Sequence, residues 1–206
     1  MNRLGPIYVI TDAESPWSLR DQVNFAAEGG AHLIQYRDKQ ISDAGYFSQA
    51  KQLIKDLKGY ECELILNDRA NVAKALPQSG LHVGQSDGDL TAIKASLAPT
   101  QILGLSIEHS SQINESNQQL ADYFGIGPIR ATQTKPDHAP PLGFEGLNDA
   151  VKLSSITTYA IGGVTSSDIP TLKSIGVSGI AVVSAVTRSE NPKQSVENLR
   201  LEWSKK

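Results

Sequence analysis

The chain has 206 residues, of which 39% are apolar, 20% charged and 6% aromatic, and its 19 Lys and Arg against 22 Asp and Glu give a formal charge of −3. This is the composition of a globular protein long enough to bury the core of one large or two small domains, and it excludes extensive disorder. The scattered basic residues exclude a general nucleic-acid binder, no apolar run approaches the ~20 residues of a membrane span, and a single cysteine, Cys62, excludes an internal disulfide framework.

The first residues carry no apolar block of signal-peptide length, because the run from Ile7 to Ile10 meets Thr11-Asp12 at once. Together with the lone cysteine this predicts a reducing, cytoplasmic setting. The Asn114-Glu115-Ser116 triplet matches a glycosylation acceptor but carries no weight there.

Taken in chain order, short β-branched apolar runs at 7–10, 33–36, 64–66, 81–83, 102–105, 123–126, 159–161 and 180–183 predict eight strands. Amphipathic segments at 18–28, 42–57, 70–76, 90–97, 110–120, 146–153, 167–175 and 192–203 predict the helices that follow them. Ser18 suits an N-cap, and Gly29-Gly30 the left-handed exit of the first helix. Strict alternation of this kind favours a parallel sheet with helical crossovers. Eight units of about 26 residues predict one (β/α)₈ TIM barrel over residues 1–206, with an open doubly wound sheet as the rival. Nearly every strand runs into polar or glycine residues at its C-terminal end, and in a barrel those ends converge on one face. The longest connection, 127–145, holds four of the ten prolines and reads as a lid over that face.

Chemistry gathers at these strand ends. Alternation along His32-Leu33-Ile34-Gln35-Tyr36-Arg37-Asp38-Lys39 sends Gln35, Arg37 and Lys39 toward the interior and its mouth, while Ile34 and Tyr36 face the helices. Two cations side by side call for an anion, although an isolated pair of this kind is usually surface charge. Asp68, after Asn67, and Asp87, after Gln85-Ser86, stand on neighbouring loops of the same face. A carboxylate pair suits Mg²⁺, which keeps several waters and takes further oxygens from substrate phosphate; a helix N-cap for Asp68 and a turn residue for Asp87 are the structural alternatives. Gly162-Gly163 and Val183-Ser184 end the seventh and eighth strands, the recurrent phosphate site of such barrels. In the long loop Thr132, Thr134 and Lys135 offer two hydroxyls and a point charge. The set has room for two phosphorylated substrates.

The sequence resembles thiamine phosphate synthases over essentially its whole length. The resemblance rests on Gln35-Tyr36-Arg37-Asp38-Lys39, Asn67-Asp68-Arg69, Leu81-His82-Val83-Gly84-Gln85-Ser86-Asp87, Gly104-Leu105-Ser106, Gly125-Ile126-Gly127-Pro128-Ile129, Thr132-Gln133-Thr134-Lys135 and Ile161-Gly162-Gly163, in the family's order. It implies a TIM barrel that joins a hydroxymethylpyrimidine diphosphate to a thiazole phosphate through a pyrimidine cation, with Mg²⁺ as cofactor and small molecules as partners. Carried over by motif, Gln35 holds the pyrimidine and Ser106 lies beside it, while Arg37, Lys39, Asn67 and Lys135 grip the diphosphate. Arg37, Lys39, Ser106 and Lys135 are thereby the catalytic set. Asp68 and Asp87 bind the metal, and Thr132, Thr134, Gly162, Val183 and Ser184 receive the thiazole phosphate. No nucleophile is required, and Cys62 reads as structural; His82 and His109 either tune the site or are hydrogen-bonded structural residues, the commoner case for a lone histidine near a strand. The rivals are a thiazole tautomerase on the same barrel and a non-catalytic phosphate-binding barrel; a homo-oligomer pairing through helical faces is left open.

Overall fold

The computed structural model describes residues 3–132 and 139–205. Eight parallel strands close into a barrel in sequence order: β1 Ile7–Ile10, β2 Leu33–Tyr36, β3 Glu63–Asn67, β4 Gly80–Val83, β5 Leu103–Ile107, β6 Tyr123–Ile126, β7 Thr157–Ile161 and β8 Gly179–Val182. The helices are α1 Leu19–Gly29, α2 Asp43–Asp56, α3 Ala70–Ala75, α4 Leu90–Ser96, α5 Glu115–Leu120, α6 Gly143–Leu153, α7 Ile169–Ile175, α8 Ser184–Thr187 and α9 Pro192–Ser204. Local chemistry sets their ends. The Ser18 side chain accepts from Asp21 N–H at the start of α1, and Gly30 closes it at φ +86°, a conformation that costs glycine little.

Three of the differences from the sequence expectation bear on the strand ends and the helices beside them. The segment expected as one helix over 110–120 is a 3₁₀ turn, Ser110–Gln112, followed by α5, because the Asn114 side chain accepts from Asn117 N–H and starts a new helix. The fifth strand reaches Ile107, so Ser106 lies within it, paired with Gly125, and not beyond its end. The eighth strand stops at Val182, and Ser184 opens the short α8, which the apolar run had concealed.

Period-two alternation divides the core into two. Outward residues such as Val9, Ile34, Leu66, Leu81, Phe124 and Ile180 pack under the helices. Inward residues Tyr8, Ile10, Leu33, Ile65, Tyr123, Tyr159 and Ala181 fill the barrel. The three inward tyrosines meet edge to face with ring centroids 5.3–5.7 Å apart, an arrangement that matches their quadrupoles. Glycines on facing strands make the room. A Cβ on Gly104 would lie 2.1 Å from Tyr123 Cζ, and one on Gly179 2.7 Å from Tyr159 Cε1.

On the outside, Tyr36 faces α2 as expected and stacks on Tyr46 at 4.1 Å. Tyr46 Oη donates to Tyr36 O at 2.5 Å and accepts from Asn67 N–H at 3.0 Å, tying together the C-terminal ends of β2 and β3. Tyr46→Phe strands both backbone groups, which costs about 1–3 kcal/mol. Thermal denaturation is expected to show a midpoint lowered by about 2–4 °C per kcal/mol; an unchanged midpoint would show that the hydroxyl contributes nothing.

Candidate active site

The C-terminal strand ends open on one cavity of about 400 Å³. Gln35, Arg37, Lys39, Asn67, Asp68, Asp87, Ser106, Thr132, Gly162, Val183 and Ser184 all line it. Thr134 and Lys135 lie outside the described residues. The residues selected from the sequence come from seven of the eight strands or the connections that follow them, which the closed sheet brings together.

One side of the cavity is charged. Arg37 N–H donates to Thr11 Oγ1 at 3.0 Å, fixing the backbone from which Arg37 and Lys39 project. Asp68 adopts φ +61°, a left-handed conformation that Asp tolerates better than most residues. It is not the N-cap of α3, a position taken by Arg69 without a side-chain cap bond. Instead Asn67 Nδ2 donates to Asp68 Oδ1 at 2.5 Å, and the Asp68 backbone N–H donates to His82 O at 2.9 Å. Burial, reinforced by the charge and hydrogen bonding of Asp87, pushes the Asp68 carboxyl up to about 6, while Lys39 and Arg37 pull the other way. Asp87 also accepts from Gly84 N–H at 2.6 Å, so its turn role and its place beside Asp68 coexist.

Two adjacent carboxylates, Asp68 partly buried and Asp87 exposed, with oxygen donors and no thiol or imidazole between them, fit a hard divalent cation such as Mg²⁺ that keeps its waters and leaves positions for phosphate oxygens. Among the described residues no group of three or more His, Cys, Asp or Glu could hold a metal.

The opposite side is uncharged backbone. Gly162 and Gly163 have φ +90° and +68°, and a Cβ on Gly162 would come 2.4 Å from Pro128 Cβ. Only glycine lets the chain turn here and leaves the backbone open to an anion. The strand-like run after β6 is stitched to this turn, with Ile129 N–H donating to Ile161 O at 2.9 Å and Arg130 N–H to Gly162 O at 3.1 Å. Arg130 then reaches over Gly163 to form a bidentate pair with Asp168, both contacts at 2.7 Å, with its guanidinium 5.1 Å from the Phe144 ring. Arg130 chiefly holds the Asp168 carboxyl below its usual range, helped by the Thr165 N–H and hydroxyl.

Sequence reasoning missed the floor. Tyr8 and His82 also line the cavity, and Gln35, Tyr8, Tyr123, His82 and Ser106 are joined by hydrogen bonds. The signal is present in the sequence, since these residues share the inward parity applied there to Gln35, Arg37 and Lys39. His109 is exposed and is not a lining residue. Burial pushes the Cys62 thiol up to about 11, which suits a structural thiol.

A family model described as thiamine monophosphate synthase matches residues 7–186. Curated relatives named thiamine-phosphate synthase include one from Vibrio campbellii, 40% identical over 195 residues, covering 94% of this chain and 95% of the relative. Another, from Vibrio parahaemolyticus, is 38% identical over 195 residues with the same coverage of both chains. The solved structure of thiamine phosphate pyrophosphorylase from Pyrococcus furiosus superimposes with a TM-score of 0.87 at 32% identity, covering 98% of this chain and 96% of that one.

The Arg130–Asp168 pair yields a pH test. A carboxyl held below its unfolded value adds stability that is complete above about pH 4 and is lost as pH falls through the folded value. Asp168→Asn is therefore expected to lower urea-unfolding stability at neutral pH, and the gap to the unmodified protein should narrow below about pH 4. A gap constant with pH would remove the ion pair from the account.

Proposed function

Because the chain belongs to the thiamine monophosphate synthase family, we propose that its barrel mouth joins hydroxymethylpyrimidine diphosphate to hydroxyethylthiazole phosphate, a transferase reaction that gives thiamine phosphate and releases diphosphate. The observation that carries this reading is the sharing of one cavity by a charged side, with Arg37, Lys39, Asn67, Asp68 and Asp87, and a glycine-walled side at Gly162. A single phosphate monoester would use one side; two phosphorylated substrates use both. An isomerase acting on thiazole phosphate alone would leave the charged side without a ligand.

On this reading Gln35 holds the pyrimidine and Ser106 lies beside its reacting carbon. Arg37, Lys39, Asn67 and, from the motif, Lys135 hold the diphosphate, while Thr132, Thr134, Gly162, Val183 and Ser184 receive the thiazole phosphate. Asp68 and Asp87 would hold Mg²⁺, which supplies positive charge to the departing diphosphate. The carbon–oxygen bond to diphosphate breaks first, leaving a pyrimidine methylene cation stabilised by the ring amino group; the thiazole nitrogen then attacks that carbon. Negative charge grows on the leaving group as the bond lengthens, so the fixed charges of Arg37 and Lys39 stabilise the transition state more than the ground state. The cavity wall is apolar where Ile10, Ile161 and Val183 face it, which supports exclusion of water from the short-lived cation. The protein's partners are then small phosphorylated molecules, and no helix among the described residues is long and apolar enough to cross a membrane.

Given both substrates and Mg²⁺, the purified protein is expected to release thiamine phosphate and diphosphate in equal amounts. Tautomerised thiazole with no coupled product would sink the assignment. Arg37→Ala is expected to lower the coupling rate by about 10²–10³ while calorimetry shows thiazole phosphate binding intact. Equal loss of both, in a folded protein, would contradict the two-sided site. Asp68→Asn is expected to raise the Mg²⁺ concentration that gives half-maximal rate.

A further inference from the structure

A hydrogen-bonded chain crosses the barrel beneath the mouth. Gln35 Nε2 donates to Tyr8 Oη at 2.5 Å, and the Tyr8 and Tyr123 hydroxyls are 2.8 Å apart. Tyr123 Oη lies 3.0 Å from His82 Nδ1, and His82 Nε2 lies 2.9 Å from Ser106 Oγ. The two ends, Gln35 and Ser106, both line the cavity. The middle is buried, with Tyr8, Tyr123 and His82 at 1%, 0% and 7% exposure; Tyr8 and His82 form part of the cavity floor and Tyr123 lies beneath it.

The chain has a direction. An amide nitrogen only donates, so the Tyr8 oxygen accepts from Gln35 and its proton goes to Tyr123. Tyr123 in turn donates to His82 Nδ1. A neutral imidazole that accepts at Nδ1 carries its proton on Nε2, and that proton goes to Ser106 Oγ. The Ser106 hydroxyl proton is then left to point toward the cavity, while at the other end Gln35 keeps its carbonyl oxygen as an acceptor. Burial holds both phenols above their ordinary range, so each stays neutral and able to donate. Tyr159, packed against both, donates instead to Gly5 O at 2.8 Å and does not break the sequence. The reverse order would require the Gln35 amide to turn over and every proton to move with it.

We propose that Tyr8, Tyr123 and His82 are positioning residues that fix this polarity, presenting an acceptor at Gln35 and a donor at Ser106, and that the cavity thereby selects a ring bearing an amino group over its oxo counterpart. The selection rests on the pyrimidine reading above; the polarity does not. An aminopyrimidine offers an N–H donor to Gln35 Oε1 and a ring nitrogen as acceptor for Ser106. Exchanging the amino group for a carbonyl sets acceptor against acceptor, and a buried polar group facing its own kind is the situation that discriminates most strongly.

Two measurements on the full-length protein test this. Nitrogen NMR of histidine-labelled protein, with the His82 signals identified by their loss in His82→Gln, reads the tautomer without any substrate. The Nε2–H form is expected, and an Nδ1–H form overturns the proposal. In Tyr8→Phe and Tyr123→Phe, which keep the rings and remove one hydroxyl each, the preference in kcat/KM for amino- over oxo-pyrimidine diphosphate is expected to fall by about tenfold, with KM for thiazole phosphate holding. A uniform loss of rate with the preference unchanged would mean that the hydroxyls serve packing alone, and overturns it. If the unmodified protein couples neither pyrimidine, the functional reading fails and the tautomer decides the polarity by itself.

Discussion

Closure of the sheet forces the inward side chains of eight strands into one narrow interior, and the rest of the structure follows from how that space is filled. Tyr8, Tyr123 and Tyr159 meet edge to face in the middle of the barrel, and they fit because Gly104 and Gly179 present no side chain to their rings. Without those glycines the rings would overlap neighbouring strands. With them, the barrel has a solid floor, and Gln35, Arg37, Asn67 and Ser106 line the cavity above it. A packed interior with an open rim is why this fold puts chemistry at one end.

The rim is shaped by arginines that hold loops. Arg69 pairs with Asp43 and donates to Ile41 O at 2.9 Å, binding the connection after β2 to the one after β3. Arg130 joins the run after β6 to the turn after β7 through Asp168. Arg188 reaches Asp12 at 2.9 Å and Glu14 at 3.1 Å, joining the connection after β8 to the one after β1. Each of the four ion pairs has at least one partly exposed member, so its contribution to stability is modest. Their effect is to hold backbone, and the cavity that bears Arg37, Lys39, Asp68 and Gly162 takes its shape from them.

Much of the architecture could be read from pattern because it is repetitive. Eight alternations of a β-branched run with an amphipathic segment leave few ways to pack, and the length per unit favours closure over an open sheet. Among the misread elements, one is set by a local polar contact and another is hidden behind an apolar run. Asn114 restarts a helix by capping it, and Ser184 opens a four-residue helix directly behind an apolar strand. Asp68 shows the same limit at the site. Its residue type suggested a helix cap or a metal ligand, and only its left-handed backbone and its contact with Asp87 remove the first.

The sequence by itself determined the alternating architecture, the polar strand ends and the residue types available at them for phosphate and a cation, since these depend on spacing along the chain. Only the tertiary structure decided which of them share a cavity and how they are oriented. His82 illustrates the difference. In the sequence it is one histidine within an apolar run, and in the barrel it stands between Tyr123 and Ser106, residues 41 and 24 positions away. Its hydrogen-bond polarity is set across the barrel, by the amide of Gln35 two strands away. That is a property of closure: contacts between inward residues of non-adjacent strands exist only once the sheet has curled on itself, and no local pattern encodes them.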